Sequence, residues 1–401
     1  MNFQKRTSLA LVLLILCTVA AWADALTDFT GSAAINAPKT SVLVIDLMSG
    51  EEIVSYNAES PLIPASILKS VSTATLLHKV GHGFRYETPV KYTGRIRNGV
   101  LEGDLVVEAS GDPSINTRHE PGSEDIVNEI VGWLRENRVR TIDGKIVVDE
   151  SAFPGPAINP TWQKGDLPHA YGTGTHGFNF SDNASGDRSV ADPAAMFRSR
   201  LTSALKSSGV EVFGKTTDGG RRHQLGTHVS APIDEIMRSC MMRSDNQFAE
   251  AILRTVGDKY GREGSVARGA EEEMKFWQHR RADIDGVNIV DGSGLSRENR
   301  VTARFMANVL SEMSDNPYYA SFFPLAGQEG TLRKFLAGTP LEGYIAMKTG
   351  SMNGIQCYAG YKLNENYEPT HIVVVMMNEM KNRASARAQL EKLLLSTFST
   401  H

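Results

Sequence analysis

A serine and a lysine three residues apart, Ser66 and Lys69, can act as a nucleophile and its base. A hydroxyl is a poor nucleophile at neutral pH until an uncharged amine takes its proton. The stretch that holds the pair, "PLIPASILKSVSTATLLHKVG", reads as a helix: Ile67, Val71 and Ala74 fall at helical spacing, Pro64 suits the first turn and Gly81 a C-terminal stop. Ser244-Asp245-Asn246 lies between two amphipathic helical segments, where a loop can present side chains into a cleft. Lys348-Thr349-Gly350 ends a β-rich run, with Ser351 next. Burial, a helix N-terminus and the Lys348 charge would each disfavour an ammonium at Lys69. The N–H groups of Ser66 and Ser351 are the expected donors to a tetrahedral oxyanion. Ser244 can relay a proton to a leaving amine and Asn246 can hold a substrate amide. Lys348 and Thr349 suit a free carboxylate, and Gly350 would let substrate backbone lie against the strand. A carboxylate anchor beside an acylating serine points to cleavage next to a C-terminal residue, or to a β-lactam that imitates it.

Each short motif is weak alone. A second Ser-x-x-Lys, Ser203 to Lys206, reads as a solvated helix face. Ser-Asp-Asn recurs at Ser181 in the turn-rich "FSDNASGD" and at Ser314 in "MSDNPYY", where Pro317 helps end a helix. The specific signal is the ordered set, each member on its own kind of element, and that set is the signature of serine β-lactamases and penicillin-binding proteins.

The elements that must position these residues are legible. "SVLVIDLMSGEEIVSYN" reads as a hairpin about Ser49-Gly50, and the Ser66 helix follows it. Short strands and turns fill residues 84–185, with one helix near "EDIVNEIVGWLREN". Helices return at "DPAAMFRSRLTSALKSSG" and "PIDEIMRSCMMRSDNQFAEAILRTVG", the latter read as two helices joined at a polar break. The chain ends in three β-rich runs, "GYIAMKTG", "IQCYAGYKL" and "HIVVVMMN", then the helix "SARAQLEKLLLSTF". The expected fold is α+β: a serine β-lactamase/transpeptidase-like domain over 24–83 and 186–401, its antiparallel sheet pairing the first and last segments, interrupted by a smaller β-rich domain over 84–185.

Residues 1–23 pair Lys5 and Arg6 with an apolar run and the small residues Ala21 and Ala23, the pattern of a cleaved signal peptide. The run is short of the roughly 20 residues of a spanning helix, and no later segment is apolar enough to cross a membrane. Loss of this leader moves the net charge from −4 to −6, which argues against a nucleic-acid partner. Cys240 and Cys357 remain in an export context where they are either two buried thiols or a bridge. His78 with His82, and His223 with His228, lack a third ligand at metal spacing, so no metal or other cofactor is expected.

With these residues in hand, the chain resembles the class C low-molecular-mass penicillin-binding proteins, the type 4 D-alanyl-D-alanine carboxypeptidase/endopeptidase family. "LEGDLVVEASGDPSI", "IDGKIVVDESAF", "DGSGLSRENRVTA", "FPLAGQEGTL" and "MKTGSMNGIQCYAGY" are similar to family segments and occur in family order. The resemblance implies a periplasmic or extracytoplasmic enzyme that cuts peptidoglycan stem peptides and is acylated by β-lactam antibiotics. It implies that Ser66 is acylated, Lys69 is the base, Ser244 and Asn246 complete the cleft, and Lys348, Thr349 and Gly350 bind the terminal D-alanine. It further implies that Asp166, Tyr171, Arg297 and Asn353 hold the diaminopimelate side chain, an acid facing its ammonium and a cation its carboxylate. Two departures stand out. Family members often carry glutamine where this chain has Asn353, and between "GFNFSDNASGD" and "VADPAAMF" most of a third domain of larger relatives is missing. The rival readings are a β-lactamase or esterase with the same acylation, which needs a dedicated deacylating base, and an inactive peptidoglycan-binding scaffold, which has no need of Ser66 with Lys69.

Overall fold

The computed structural model describes residues 24–119, 125–217 and 219–398. The leader expected over residues 1–23 lies outside them. Along the chain, β1 (Thr40–Asp46) and β2 (Glu52–Tyr56) form the expected hairpin, with the Asp46 carboxylate accepting the Met48 and Ser49 N–H groups and Gly50 at φ +74°. A 3-10 turn, Ala65–Leu68, runs into α1 (Lys69–Val80), which ends at Gly81 with φ +71°. Next come β3 (Glu87–Tyr92), β4 (Leu105–Glu108), α2 (Ile126–Glu136), β5 (Ile146–Asp149), α3 (Pro193–Ser207) and β6 (His223–Val229). The helices α4 (Ile233–Arg243), α5 (Asn246–Gly261), α6 (Val266–His279) and α7 (Ala303–Met313) follow, and the chain closes with β7 (Ile345–Met352), β8 (Ile355–Leu363), β9 (Pro369–Met377) and α8 (Arg383–Phe398).

The chain divides into two compact units. The first takes residues up to Leu68 with Arg281–Asn288 and Glu298–His401. Its five-stranded antiparallel sheet has the order β7-β8-β9-β1-β2, so the first and last segments pair as expected, Val42 facing Val375. Alternation sends Val42, Val44, Val373 and Val375 to one face, where they pack with Leu390 and Leu394 of α8. Phe305 and Leu310 of α7 are buried too, and the Tyr361 hydroxyl donates to the Leu310 carbonyl at 2.7 Å.

The second unit takes Lys69–Arg280 with Ile289–Arg297. It holds a four-stranded sheet in the order β6-β3-β4-β5 and two smaller sheets of two-residue strands. Apolar residues of α2 and α3, among them Ile130, Leu134, Phe197 and Leu201, share one core with Val90, Leu105 and Val107 of the larger sheet. Its fourth strand, β6, comes from residues well past 185 and pairs with β3 from Val229 opposite Glu87 to His223 opposite Tyr92. In the helical part α5 is buried on all sides, and α6 crosses it closely because Gly269 has no side chain: a Cβ there would stand 2.2 Å from the Leu253 carbonyl oxygen. Among the described residues Cys240 and Cys357 are buried thiols without a disulfide, and burial pushes Cys357 up to about 12. Among the described residues no helix is long and apolar enough to cross a membrane.

Candidate active site

In the first unit Ser66 lies, half-buried, in the 3-10 turn rather than in the α-helix proper. The residue before it, Ala65, has φ +48°, a left-handed conformation that costs a residue with a Cβ about 1 kcal/mol or more. Two anchors hold the turn in that shape. Asn378, just after β9, accepts the Ile63 N–H at 2.9 Å and donates its amide to the Ile63 carbonyl at 3.0 Å. Gly350 of β7 supplies the second by being small: a Cβ there would lie 2.5 Å from the Pro64 oxygen and 3.0 Å from the Ser66 nitrogen. Beside the room for substrate that the sequence leads one to expect of Gly350, its bare Cα makes room for the turn that carries Ser66.

Lys348 is fully buried and its Nζ donates to the Thr349 carbonyl at 2.7 Å. The Thr349 hydroxyl bonds that of Thr331 at 2.8 Å. Strand β7 continues past Gly350 through Ser351, which is exposed on the edge strand of the sheet, and Asn353 is exposed in the hairpin turn to β8.

In the second unit Lys69 opens α1 and has no solvent exposure. Its Nζ donates to Asn246 Oδ1 at 2.7 Å and to the Ser293 carbonyl at 2.6 Å. Burial holds its pKa below the usual lysine range, while acidic groups nearby, Cys240 and Asp291 foremost, pull the other way. Asn246 starts α5, whose N-cap is Asp245, the Phe248 N–H donating to its carboxylate at 3.1 Å. The Asn246 amide donates to the Tyr171 carbonyl at 2.7 Å, and the Tyr171 hydroxyl donates to Asp166 Oδ1 at 3.0 Å. One line of hydrogen bonds thus links Lys69, Asn246, Tyr171 and Asp166. Ser244 ends α4 in the left-handed region at φ +60°, which breaks the helix and starts α5 two residues on. It lines a cavity of about 260 Å³ with Asn246, Tyr171, Arg118, His119 and Asp182. Arg297, half-buried, lies four residues after Ser293.

The repeated motifs have structural work. Ser203 and Lys206 are exposed on α3. Ser181, Asp182 and Asn183 are three consecutive left-handed residues, and the buried Asn183 amide donates to the Gly174 carbonyl at 2.9 Å. Ser314 caps the end of α7. His82 pairs with Asp234 at 2.9 Å, His78 packs on Phe276, and His228 pairs with Glu129 at 2.6 Å. Three residues that hold the site went unread: Ser293, Glu250 and Asn378. Each left only a faint signal: an acid inside the apolar "NQFAEAILR", one amide after "HIVVVMM", and a serine between two glycines in "DGSGLSRENRVTA".

The antiparallel sheet with its strained serine turn, and the helices around a buried lysine, are the parts of a serine penicillin-recognising fold. The likeness is direct: penicillin-binding protein 4 of Haemophilus influenzae superposes with a TM-score of 0.79 at 21% identity, covering 92% of this chain and 98% of that one. Residues 23–185 and 179–396 match the D-Ala-D-Ala carboxypeptidase 3 (S13) family, and the chain belongs to it, an enzyme of the serine-type D-Ala-D-Ala carboxypeptidases. Curated relatives include a D-alanyl-D-alanine carboxypeptidase of Actinomadura sp. (strain R39), 26% identical over 82% of this chain and 76% of its own length. The predatory endopeptidase Bd3459 of Bdellovibrio bacteriovorus shares the fold at a TM-score of 0.57 and 17% identity, covering 88% of this chain and 91% of that one. Structures of the Haemophilus protein with a β-lactam and of Bd3459 acylated by penicillin G are also similar.

Proposed function

We propose that this protein removes the terminal D-alanine from peptidoglycan stem peptides, and cuts D-alanyl cross-links, through an acyl-serine on Ser66. The observation that carries the reading is Lys69: a buried amine with a depressed pKa, three residues after a serine on one continuous turn. The amine donates to Asn246 Oδ1 and to the Ser293 carbonyl, acceptors that a neutral amine can serve with its hydrogens while its lone pair takes a proton.

In acylation the Lys69 amine takes the Ser66 proton as Oγ bonds to the carbonyl carbon of the penultimate D-alanine. The N–H groups of Ser66 and Ser351 take the developing negative charge. The C–N bond then breaks, and the proton passes by way of Ser244 to the leaving amine, which departs as D-alanine or as the cross-linked neighbour. Water attacks the ester in the second half, Lys69 again taking a proton, and Ser66 is restored. Asn246 holds the substrate amide and Lys348 with Thr349 anchors the terminal carboxylate, the close packing of Gly350 keeping that strand against the serine turn. The link from Tyr171 to Asp166 supports a side-chain pocket in which Asp166 faces an ammonium and Arg297 a carboxylate, and Asn353 is read as a further contact to the substrate. A β-lactam would acylate Ser66 and remain, as the β-lactam-bound relatives support.

The leader pattern and a cell-wall substrate support export to the periplasm or another extracytoplasmic space, and we read the insertion within the transpeptidase-like fold as beginning near 84 and running on past the expected end at 185, since α3 and β6 share its core and sheet. Labelling with a fluorescent penicillin tests the nucleophile: Ser66→Ala is expected to lose all label, and a variant that labels like the parent removes Ser66 from the reaction. Incubation with a pentapeptide and a cross-linked muropeptide is expected to release D-alanine from the first and separate the second. Rapid turnover of penicillin with neither peptide cut would make the protein a β-lactamase instead.

A further inference from the structure

One helical turn beyond Asn246, α5 carries Glu250, which is buried at 2% exposure. Residues four apart share a helix face, so Asn246 and Glu250 look the same way. Glu250 Oε1 accepts the Gly292 N–H at 3.0 Å and the Ser293 N–H at 2.8 Å. Ser293 in turn offers its carbonyl to Lys69 Nζ at 2.6 Å. One face of one helix therefore reaches the amine twice: through Asn246 directly, and through Glu250 by way of a single residue.

The loop needs that hold. Its sequence, Asp291-Gly292-Ser293-Gly294, has two glycines, and glycine imposes little conformation of its own. Asp291 closes the far side by accepting the Gly294 N–H at 2.8 Å, the Ser296 N–H at 2.6 Å and the Trp162 indole at 2.8 Å. None of these bonds fixes the N–H groups of Gly292 and Ser293; Glu250 does.

We propose that Glu250 is a positioning residue for acylation, setting the direction of the Ser293 carbonyl and through it the orientation of the Lys69 amine. The proposal rests on the reading of Lys69 as the base. The task calls for an acceptor oxygen, not for a charge: burial and the neighbouring Asp291 carboxylate push the Glu250 carboxyl up to about 7, and its Oε1 can accept from both N–H groups whether or not a proton is bound.

Acylation by a fluorescent penicillin, resolved into a pre-acylation dissociation constant and a first-order acylation rate, tests it. Glu250→Met keeps the bulk and removes the acceptor; its acylation rate is expected to fall roughly 30-fold or more, since a misplacement near 1 Å costs about 100-fold, with the dissociation constant within about threefold of the parent. Glu250→Gln keeps a carbonyl oxygen in place and is expected to restore the rate to within about threefold. Should Glu250→Met fail to fold, Glu250→Asp retracts the acceptor by one methylene and is expected to lose roughly tenfold in the same rate alone. Parental rates in the Met or Asp variant overturn the proposal, as does a Gln variant that acylates no faster than Met. Lys69→Ala separates the two readings: if it acylates normally the base is misassigned, and if it is inert while Glu250→Met is normal only the positioning role is lost.

Discussion

At the scale of single residues the chemistry turns on the state of one nitrogen. A lysine in water keeps its proton up to about pH 10.5, and Lys69 is held below that range because its amine has no solvent around it. Two consequences can be measured. Lys69→Arg puts a permanently charged guanidinium in the place of a base and is expected to lower the acylation rate by about 100-fold or more, because Arg cannot take up the Ser66 proton. In the parent, acylation needs the unprotonated amine, so its rate is expected to fall as pH drops through the Lys69 pKa. Burial sets the midpoint of that acid limb below the ordinary lysine value of 10.5. A second-order rate constant for penicillin acylation, followed against pH, reports that midpoint, and one at or above 10.5 would contradict the buried-base account.

At the scale of elements, the strained turn that bears Ser66 depends on a strand distant in sequence. Gly350→Ala adds a Cβ 2.5 Å from the Pro64 oxygen, 3.0 Å from the Ser66 nitrogen and 3.1 Å from the Ile67 nitrogen, all main-chain atoms that yield only if the turn moves. The expected result is a loss of about 1 to 3 kcal/mol in denaturant unfolding together with slower penicillin labelling. Undiminished labelling by a stably folded Gly350→Ala would mean that the turn tolerates the shift. The sequence disclosed elements wherever one face is apolar and the period is clear. The β1–β2 hairpin, the break between α4 and α5 at Ser244, and the strands β7 to β9 all carry that signal. It was silent on the turn itself, because an alanine such as Ala65 does not advertise a positive φ, and the packing that enforces it comes from Gly350 and Asn378, nearly 300 residues away or more. Strand β6 was missed for another reason: its "HQLGTHV" buries only His228 fully, so no alternation marks it. Glu250 reads as an interruption of an apolar helix until the loop that it holds is seen.

At the scale of the whole molecule, the unit that contains Lys69 buries several ionisable groups, and their protonation couples stability to pH. Glu273 of α6 is the plainest: it has no solvent exposure, and the neighbouring Ser72 hydroxyl gives its carboxyl only weak support. Burial pushes its carboxyl from 4.5 up to about 8, the nearby Ser72 only partly opposing the rise, and Glu250 moves up to about 7 for the same first cause. A carboxyl raised in the folded state binds a proton that the unfolded chain has already released, so its stabilising contribution is complete below about 4.5 and is lost as pH rises to about 8. Lys69 has the opposite sign, its folded pKa lying below the unfolded value, so its contribution grows as pH rises toward 10.5. Carboxylates held low by partners, such as Asp46 beside Ser49 and Asp149 beside Arg222, change charge under more acid conditions, while His176, held below 6.5 by burial, and Lys69 oppose the buried acids within the window from pH 5 to 8.5. Those opposing groups are the same in parent and variant, so the loss of stability in urea across that window that belongs to Glu273 is expected in the parent alone. In Glu273→Gln the decline should be smaller by at least about 1 kcal/mol, because Gln cannot release a proton and any cost of its buried amide is the same at both ends. Comparing the two ends of the window within each variant removes that constant cost, so an equal decline in parent and variant would mean that Glu273 ionises in the folded protein as it does in water.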